Sequence, residues 1–255
     1  MFVNLNKSLI AQRFAKARQS YVENAIAQKK ISHHLCHLMQ AYCPLHLSRI
    51  FEIGCGSGNL TQELFVSFQI QRAYLNDLYD EVKQHFLDEQ PIEWCIGDIE
   101  SLSLPEHLNA IVSSSAIQWV QNLPQLLGRC HHALNDQGWL CLSTFGSDNF
   151  KEIKQLTGQG LSYWSVQDWQ VHLQASGFEL MKIEQQQLKM QFDSPRAILK
   201  HLKATGVTGT VATTQPHWNK QSLAQFYHDY CQFQTDDGHY ELTYHPIYII
   251  ARRTS

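Results

Sequence analysis

Residues 51–61 read FEIGCGSGNLT. Phe51, Glu52 and Ile53 suit a strand, and from Asn59 onward the chain suits a helix. Gly54-Cys55-Gly56-Ser57-Gly58 is therefore a strand-to-helix turn. Its glycines permit positive φ and let a ligand approach the backbone closely. A dinucleotide-binding turn would need glycine at 54, 56 and 59, and position 59 is Asn. No GK[ST] follows, so the turn is not a P-loop. The spacing is GxGxG, with Glu52 just before it.

Outward from this turn the chain keeps a steady rhythm. RIFEIG (49–54), AYLND (73–77), WCIGD (94–98), AIVSSS (110–115) and WLCLSTF (139–145) are short β-rich runs. Helical stretches are expected over 59–68 and, capped by Asn122, up to Leu134. The alternation predicts an α/β fold, a doubly wound and mostly parallel sheet covered on both faces. Ligands of such sheets bind at the carboxyl ends of the strands. Asp77 ends the second run, where a carboxylate can accept both hydroxyls of a ribose. Asp98 ends the third, where a carboxylate can take the exocyclic amine of an adenine while Ile99 packs on the ring. The GxGxG turn suits a zwitterionic amino-acid tail, its ammonium toward Glu52, better than a pyrophosphate. Together these features ask for an adenosine bearing an amino-acid tail, that is, S-adenosylmethionine. The predicted cofactor residues are Glu52, Gly54, Cys55, Gly56, Gly58, Asn76, Asp77, Leu78, Asp98 and Ile99.

Before the turn, Ile31, Leu35, Leu38, Met39 and Tyr42 recur at helical spacing within residues 20–42. After residue 145 the pattern is less regular. SVQDWQVHLQASG reads as a helix with Ser165 and Asp168 as a capping box and Gly177 as its stop. FELMKIEQQQLKM (178–190) reads as one long strand. DSPRAILKHLKATG reads as a helix with Ser194 at the N-cap, Pro195 next and Gly206 at its end. A further helix is expected over 222–233, and HYELTYHPIYIIARR as one closing strand. The stretch of roughly 45 residues between the last two strands exceeds an ordinary connection and reads as a lid or substrate subdomain.

The chain has 255 residues, 44% hydrophobic and 17% charged, which is enough for a substantial core. Lysine and arginine number 20 against 23 acidic residues, for a net charge of −3. That balance argues against a dedicated nucleic-acid binder. No apolar run is long enough to span a bilayer, and no secretory h-region is visible, so a cytoplasmic, membrane-free protein is expected. The seven cysteines include no CxxC pair and read as small buried hydrophobes in a reducing compartment. His33 and His37 lie one helical turn apart, but no third ligand follows, and no metal is expected.

The order of these motifs matches class I S-adenosylmethionine-dependent methyltransferases. AKARQSYVENAIAQ (15–28), SSSAIQWV (113–120), LCLSTFGSDNF (141–150), HLKATGVTGT (201–210) and LTYHPIYII (242–250) resemble the malonyl-acyl-carrier-protein O-methyltransferases of biotin synthesis. The chain departs from that family at Ser113-Ser114, where Ser-Asn is common, and at Asn135-Asp136-Gln137-Gly138, where a Lys-Pro-Gly-Gly-like turn is usual. The resemblance implies a single Rossmann-like methyltransferase domain over 1–255, with an N-terminal helical cover (1–45), a cofactor-binding half (46–147) and a helical lid before the last strand (191–236). It implies methylation of malonyl-acyl carrier protein or malonyl-CoA, with S-adenosylhomocysteine as by-product, by a monomer. It adds Ser114 to the cofactor site. Tyr21, Gln118 and His245 would orient the reactants, and Trp119 and Tyr244 would line the substrate. A carboxylate is already ionised near neutral pH, so no general base is expected. Arg196, Lys200 and Lys203 fall on one helical face and would dock an acidic carrier. The readings left beside this one are a methyltransferase for another small acid or a quinone precursor, and a non-catalytic S-adenosylmethionine-binding protein.

Overall fold

Apolar residues dominate the five runs that flank the glycine turn, and all five become parallel strands. The computed structural model describes residues 25–86, 90–205 and 219–254. In chain order these form α1 (Ile26–Tyr42), β1 (Arg49–Ile53), α2 (Asn59–Ser67), β2 (Arg72–Asp77), β3 (Ile92–Ile96) and β4 (Leu108–Ser114). There follow α3 (Leu123–Ala133), β5 (Leu134–Phe145), α4 (Lys151–Thr157), α5 (Val166–Ala175), β6 (Phe178–Gln185) and β7 (Leu188–Phe192). The last are α6 (Pro195–Ala204), α7 (Lys220–Tyr230), β8 (Tyr240–Tyr244) and β9 (Pro246–Arg253). No helix among the described residues is long and apolar enough to cross a membrane.

The chain divides into two compact units. The larger comprises Gln28–Gly146, Trp164–Gln185 and Pro246–Ser255. It holds a seven-stranded sheet in the order β3-β2-β1-β4-β5-β9-β6. Strands β1 to β5 run parallel, and β9 lies antiparallel between β5 and β6. Ile50, Phe51, Ala110, Ile111, Val112, Leu140 and Leu142 are fully buried, which is why these strands read as continuous apolar runs rather than alternating ones. Phe51, Ile111, Leu126, Leu127, Trp169, Leu173 and Ile249 belong to one core cluster. The capping box of Ser165 and Asp168 opens α5 as its sequence predicts.

The smaller unit includes Ser147–Tyr163 and Gln186–His245. Here β7 and β8 pair antiparallel. Its interior is polar as well as aromatic. Glu152 on α4 accepts the Thr243 amide at 3.1 Å and the Thr243 hydroxyl at 2.5 Å, and the Tyr230 hydroxyl donates to the Glu241 carbonyl at 2.8 Å.

Two expected single strands are in fact pairs. The run 178–190 breaks after Gln185, so that β6 joins the large sheet and β7 the small one. Apolar alternation lapses at Gln185-Gln186-Gln187, and the Gln187 amide donates instead to Asp148 at 2.9 Å. The closing run breaks at His245, whose own N–H goes to Asn149 at 3.2 Å. Pro246 then opens β9, a position where a missing donor costs nothing. The expected helix over 222–233 begins earlier, at Lys220, because Asn219 and Ser222 form a capping box, and it ends in a 3-10 turn over Cys231–Phe233. Gly206, expected to stop α6, lies outside the described residues.

Candidate functional site

The site grows from the carboxyl ends of β1, β2, β3 and β4. At the tip of β1 the chain must turn sharply under β4. Gly54 has φ +69°, and a Cβ there would fall 2.4 Å from the Ala116 Cβ. Among the described residues nothing lies within 4 Å of where a Cβ on Gly56 would be, which leaves room for a ligand to approach the backbone. The Gly56 N–H donates to Asp77 Oδ2 at 2.9 Å, and the Leu78 N–H donates to Asp77 Oδ1 at 2.7 Å. The turn and the end of β2 are thereby locked together. The Tyr79 amide also bonds the Asp77 carboxylate; an ionised carboxylate has about four acceptor positions, so Asp77 keeps room for a ribose hydroxyl. Desolvation by the surrounding protein pushes its carboxyl up to about 6, against the pull of these amides.

Glu52 lies deeper than an exposed ligand would. It is buried, and the Thr61 hydroxyl on α2 donates to it at 2.6 Å. Burial pushes its carboxyl up to about 8, with the Thr61 bond opposing. Asn76 works at second hand: its amide donates to the Cys95 and Gly97 carbonyls at 2.8 and 2.9 Å, fixing the end of β3. The Cys55 N–H in turn donates to the Asn76 carbonyl at 2.9 Å. Past β3, Asp98 Oδ1 accepts the Glu100 N–H at 3.0 Å, and Ile99 is buried in the core cluster.

After β4 the chain enters a strained turn. Ser115 has φ +55°, uncommon for a residue with a Cβ. Ser114 sits in a chain of hydroxyls, 3.0 Å from Ser32 on α1 and 3.0 Å from Ser143 on β5. The Gln118 amide donates to the Ser115 carbonyl at 2.6 Å. Ser57 Oγ, Ser115 Oγ and Gln118 Oε1 are buried and have no hydrogen-bond partner among the described residues. Buried polar atoms are rarely left unpaired, so these three are available to a polar ligand. The open backbone at Gly56, the aspartates at successive strand ends and these unpaired atoms fit an adenosyl amino acid.

The predicted substrate residues are distributed differently. Gln118 and Trp119 lie in the turn after β4, together with the cofactor residues. Tyr244 and His245 belong to the smaller unit. Tyr244 is fully buried, its hydroxyl 2.7 Å from His201 Nε2 and its ring edge-on to Phe150. His245 Nδ1 accepts the Asp148 N–H at 3.1 Å. Burial holds the imidazoles of both His201 and His245 below the usual histidine range, that of His201 down to about 4. Arg196, Lys200 and Lys203 are exposed on α6, while Ile198, His201 and Leu202 on its other side are buried. Tyr21 lies outside the described residues. Among the described residues no group of three or more His, Cys, Asp or Glu is placed to hold a metal. His33 instead pairs with Glu63 at 3.2 Å.

Thr61, Ser32, Ser143, Arg129 and His201 escaped the sequence reading. Each acts by holding another residue, and hydroxyls or a lone cation inside apolar runs carry no periodic signal. His201 had one usable cue: it follows Ile198 by three residues on a helix and so shares its buried side.

A family model described as a methyltransferase domain matches residues 10–183. The chain is 38% identical over 252 residues to the malonyl-[acyl-carrier protein] O-methyltransferase of Bacteroides fragilis, covering 97% of this chain and 51% of that protein. It thus spans about half the length of that relative. It is 34% identical to the malonyl-[acyl-carrier protein] O-methyltransferase of Bacteroides thetaiotaomicron, covering 98% of this chain and 99% of that one. In three dimensions it resembles an S-adenosylmethionine dependent methyltransferase from Mesorhizobium loti, with a TM-score of 0.54 at 15% identity, over 85% of this chain and 96% of that chain.

Proposed function

The chain belongs to the malonyl-[acyl-carrier protein] O-methyltransferase family, and we propose that it methylates the free carboxylate of a malonyl thioester. The thioester would be held on an acyl carrier protein or on coenzyme A, and the ester would serve biotin synthesis. The likeness over nearly the whole length of a relative bearing that name carries this reading. When bound, S-adenosylmethionine supplies a methyl group on a positively charged sulfur. The backbone of residues 54–58 would hold its amino-acid tail over Glu52. Asp77, set by Gly56 and Leu78, would take the ribose, and Asp98 with Ile99 the adenine. Ser114 would steady the end of β4 through Ser32 and Ser143.

The acceptor needs little chemical help. A carboxyl group with a pKa of about 4 is ionised at neutral pH, so nothing must remove a proton. Opposite charges cancel as the methyl group moves. A buried arginine on the carboxylate would therefore favour the ground state over the transition state. Alignment is what the protein has to provide. Gln118 suits that role: its amide is neutral, pinned to the Ser115 carbonyl, and has a second hydrogen to donate. Trp119 offers an apolar wall, and Tyr21 would orient the reactants from the N-terminal cover. His245, neutral and holding the Asp148 amide, would orient through the backbone, and Tyr244, bonded to His201, would line the substrate. The exposed cations of α6 would steer an acidic carrier.

The deciding experiment incubates the purified chain with labelled S-adenosylmethionine and malonyl-carrier, then reads the acyl group by mass spectrometry. One added methyl on the malonyl carboxylate is expected. Equal labelling of acetyl and malonyl thioesters, or preference for an unrelated small acid, overturns the proposal.

A further inference from the structure

Arg129 is the one lysine or arginine on α3, whose sequence is LPQLLGRCHHA. It is half-buried, and its guanidinium points at backbone. Nη1 donates to the carbonyls of Ile99 at 2.8 Å and Glu100 at 3.0 Å, and Nη2 donates to the carbonyl of Leu102. Those residues form the turn that follows Asp98. The same turn is tied at its other side: the Asp98 carbonyl accepts the amides of Ser101 and Leu102 at 2.9 and 3.0 Å. The Glu100 carboxylate accepts the amides of Gln121 and Asn122 at 3.1 and 2.8 Å, just ahead of α3. One helix thus grips residues 98–102 twice, with a cation from its middle and with the amides before its first turn.

We propose that Arg129 is a positioning residue for adenine recognition: by clamping three carbonyls it fixes the backbone from which Asp98 and Ile99 meet the base. The assignment rests on the reading of Asp98 as acceptor of the adenine amine. The chemistry explains the residue type. A planar guanidinium presents five donors in a fixed fork, whereas a lysine ammonium is a compact point charge and cannot reproduce that fork. With the clamp gone, the turn has alternative conformations, and the Asp98 carboxylate loses its aim while the glycine turn and Asp77 keep theirs.

The test uses two ligands that differ only at the base edge, S-adenosylhomocysteine and its inosine analogue, in which a carbonyl replaces the amine. Calorimetry on the full chain gives both dissociation constants for wild type, D98A, R129Q and R129K. Wild type should prefer the adenosyl ligand, and D98A should erase that preference. R129Q should weaken the adenosyl ligand by about tenfold, the loss of a charge-assisted contact, and leave the inosyl ligand nearly unchanged. The preference should thus collapse, with R129K intermediate. In steady state the loss should fall on KM for the methyl donor rather than on kcat. Where R129Q does not fold, R129K reports the same ratio. A variant that loses both ligands equally, in step with a drop in Tm, shows a structural role only and overturns the proposal. If D98A erases the preference and R129Q and R129K keep it, the proposal alone falls. If D98A keeps it, the reading of Asp98 falls and the proposal falls with it.

Discussion

The glycine turn of the larger unit and the interior of the smaller one hold buried polarity differently. Around the glycine turn, Ser57, Ser115 and Gln118 each have a buried polar atom with no partner among the described residues, and none of those residues crowds the Gly56 backbone. In the smaller unit several buried polar side chains pair with one another. Glu152 holds Thr243, His201 holds Tyr244, Asn149 bonds Tyr163 at 3.1 Å, and Thr205 returns to the His201 carbonyl at 2.9 Å. Unpaired groups at a strand end are set for a ligand, whereas mutually paired groups hold a shape. The contrast sets the open turn where the cofactor is proposed to lie against a paired interior in the smaller unit.

The sharpest way to break the comparison is at Gly54. Valine there would need a left-handed backbone and would collide with Ala116, so G54V should weaken S-adenosylhomocysteine by at least about 100-fold in calorimetry while the chain stays folded. Unchanged affinity would mean that the glycine turn is not the ligand cradle. In the smaller unit the matching insult is E152A, which strands the amide and hydroxyl of Thr243 in the interior. It should cost about 2–3 kcal/mol in urea unfolding, with little effect on cofactor affinity.

A third contrast uses pH. Glu52 titrates at about 8 in the folded chain against an ordinary value of 4.5. Its folded form favours the proton, so its contribution to stability is greatest below pH 4.5. That contribution is lost progressively as pH rises to 8. Stability measured over this window should slope downward by up to about 1.4 kcal/mol per pH unit, and E52Q should flatten the slope. A wild-type curve no steeper than that of E52Q would show that Glu52 is solvated. The smallest effect is expected on α6. Reversing charge with K200E and K203E should raise KM for carrier-bound malonate by about three- to tenfold, a rim-charge effect, and leave the coenzyme A thioester nearly alone. Equal losses on both acceptors would remove the docking role.

The sheet was legible because parallel strands buried on both faces leave unbroken apolar runs, and because glycine and aspartate at strand ends stand out against them. Asp77, Asp98 and the GxGxG turn lie at successive strand ends as the sequence suggested. The smaller unit was harder to read. Its strands β7 and β8 are chain-adjacent to β6 and β9, and only a glutamine run and one proline mark where the chain changes sheets. Strand-forming residues resume directly after each joint, so composition alone fuses them. Residues that act at second hand, such as Arg129 and Thr61, are invisible for another reason: what they hold is backbone or a side chain far along the chain.

The placement of β9 has a consequence for synthesis. It is the last strand in chain order, yet it lies inside the large sheet, between β5 and β6. A nascent chain that has made every earlier strand still has β5 and β6 as bare edges, each able to recruit a stray strand. Until residues 246–253 clear the ribosome, the larger unit holds a five-stranded sheet with β5 as an open edge, and β6 has no strand beside it.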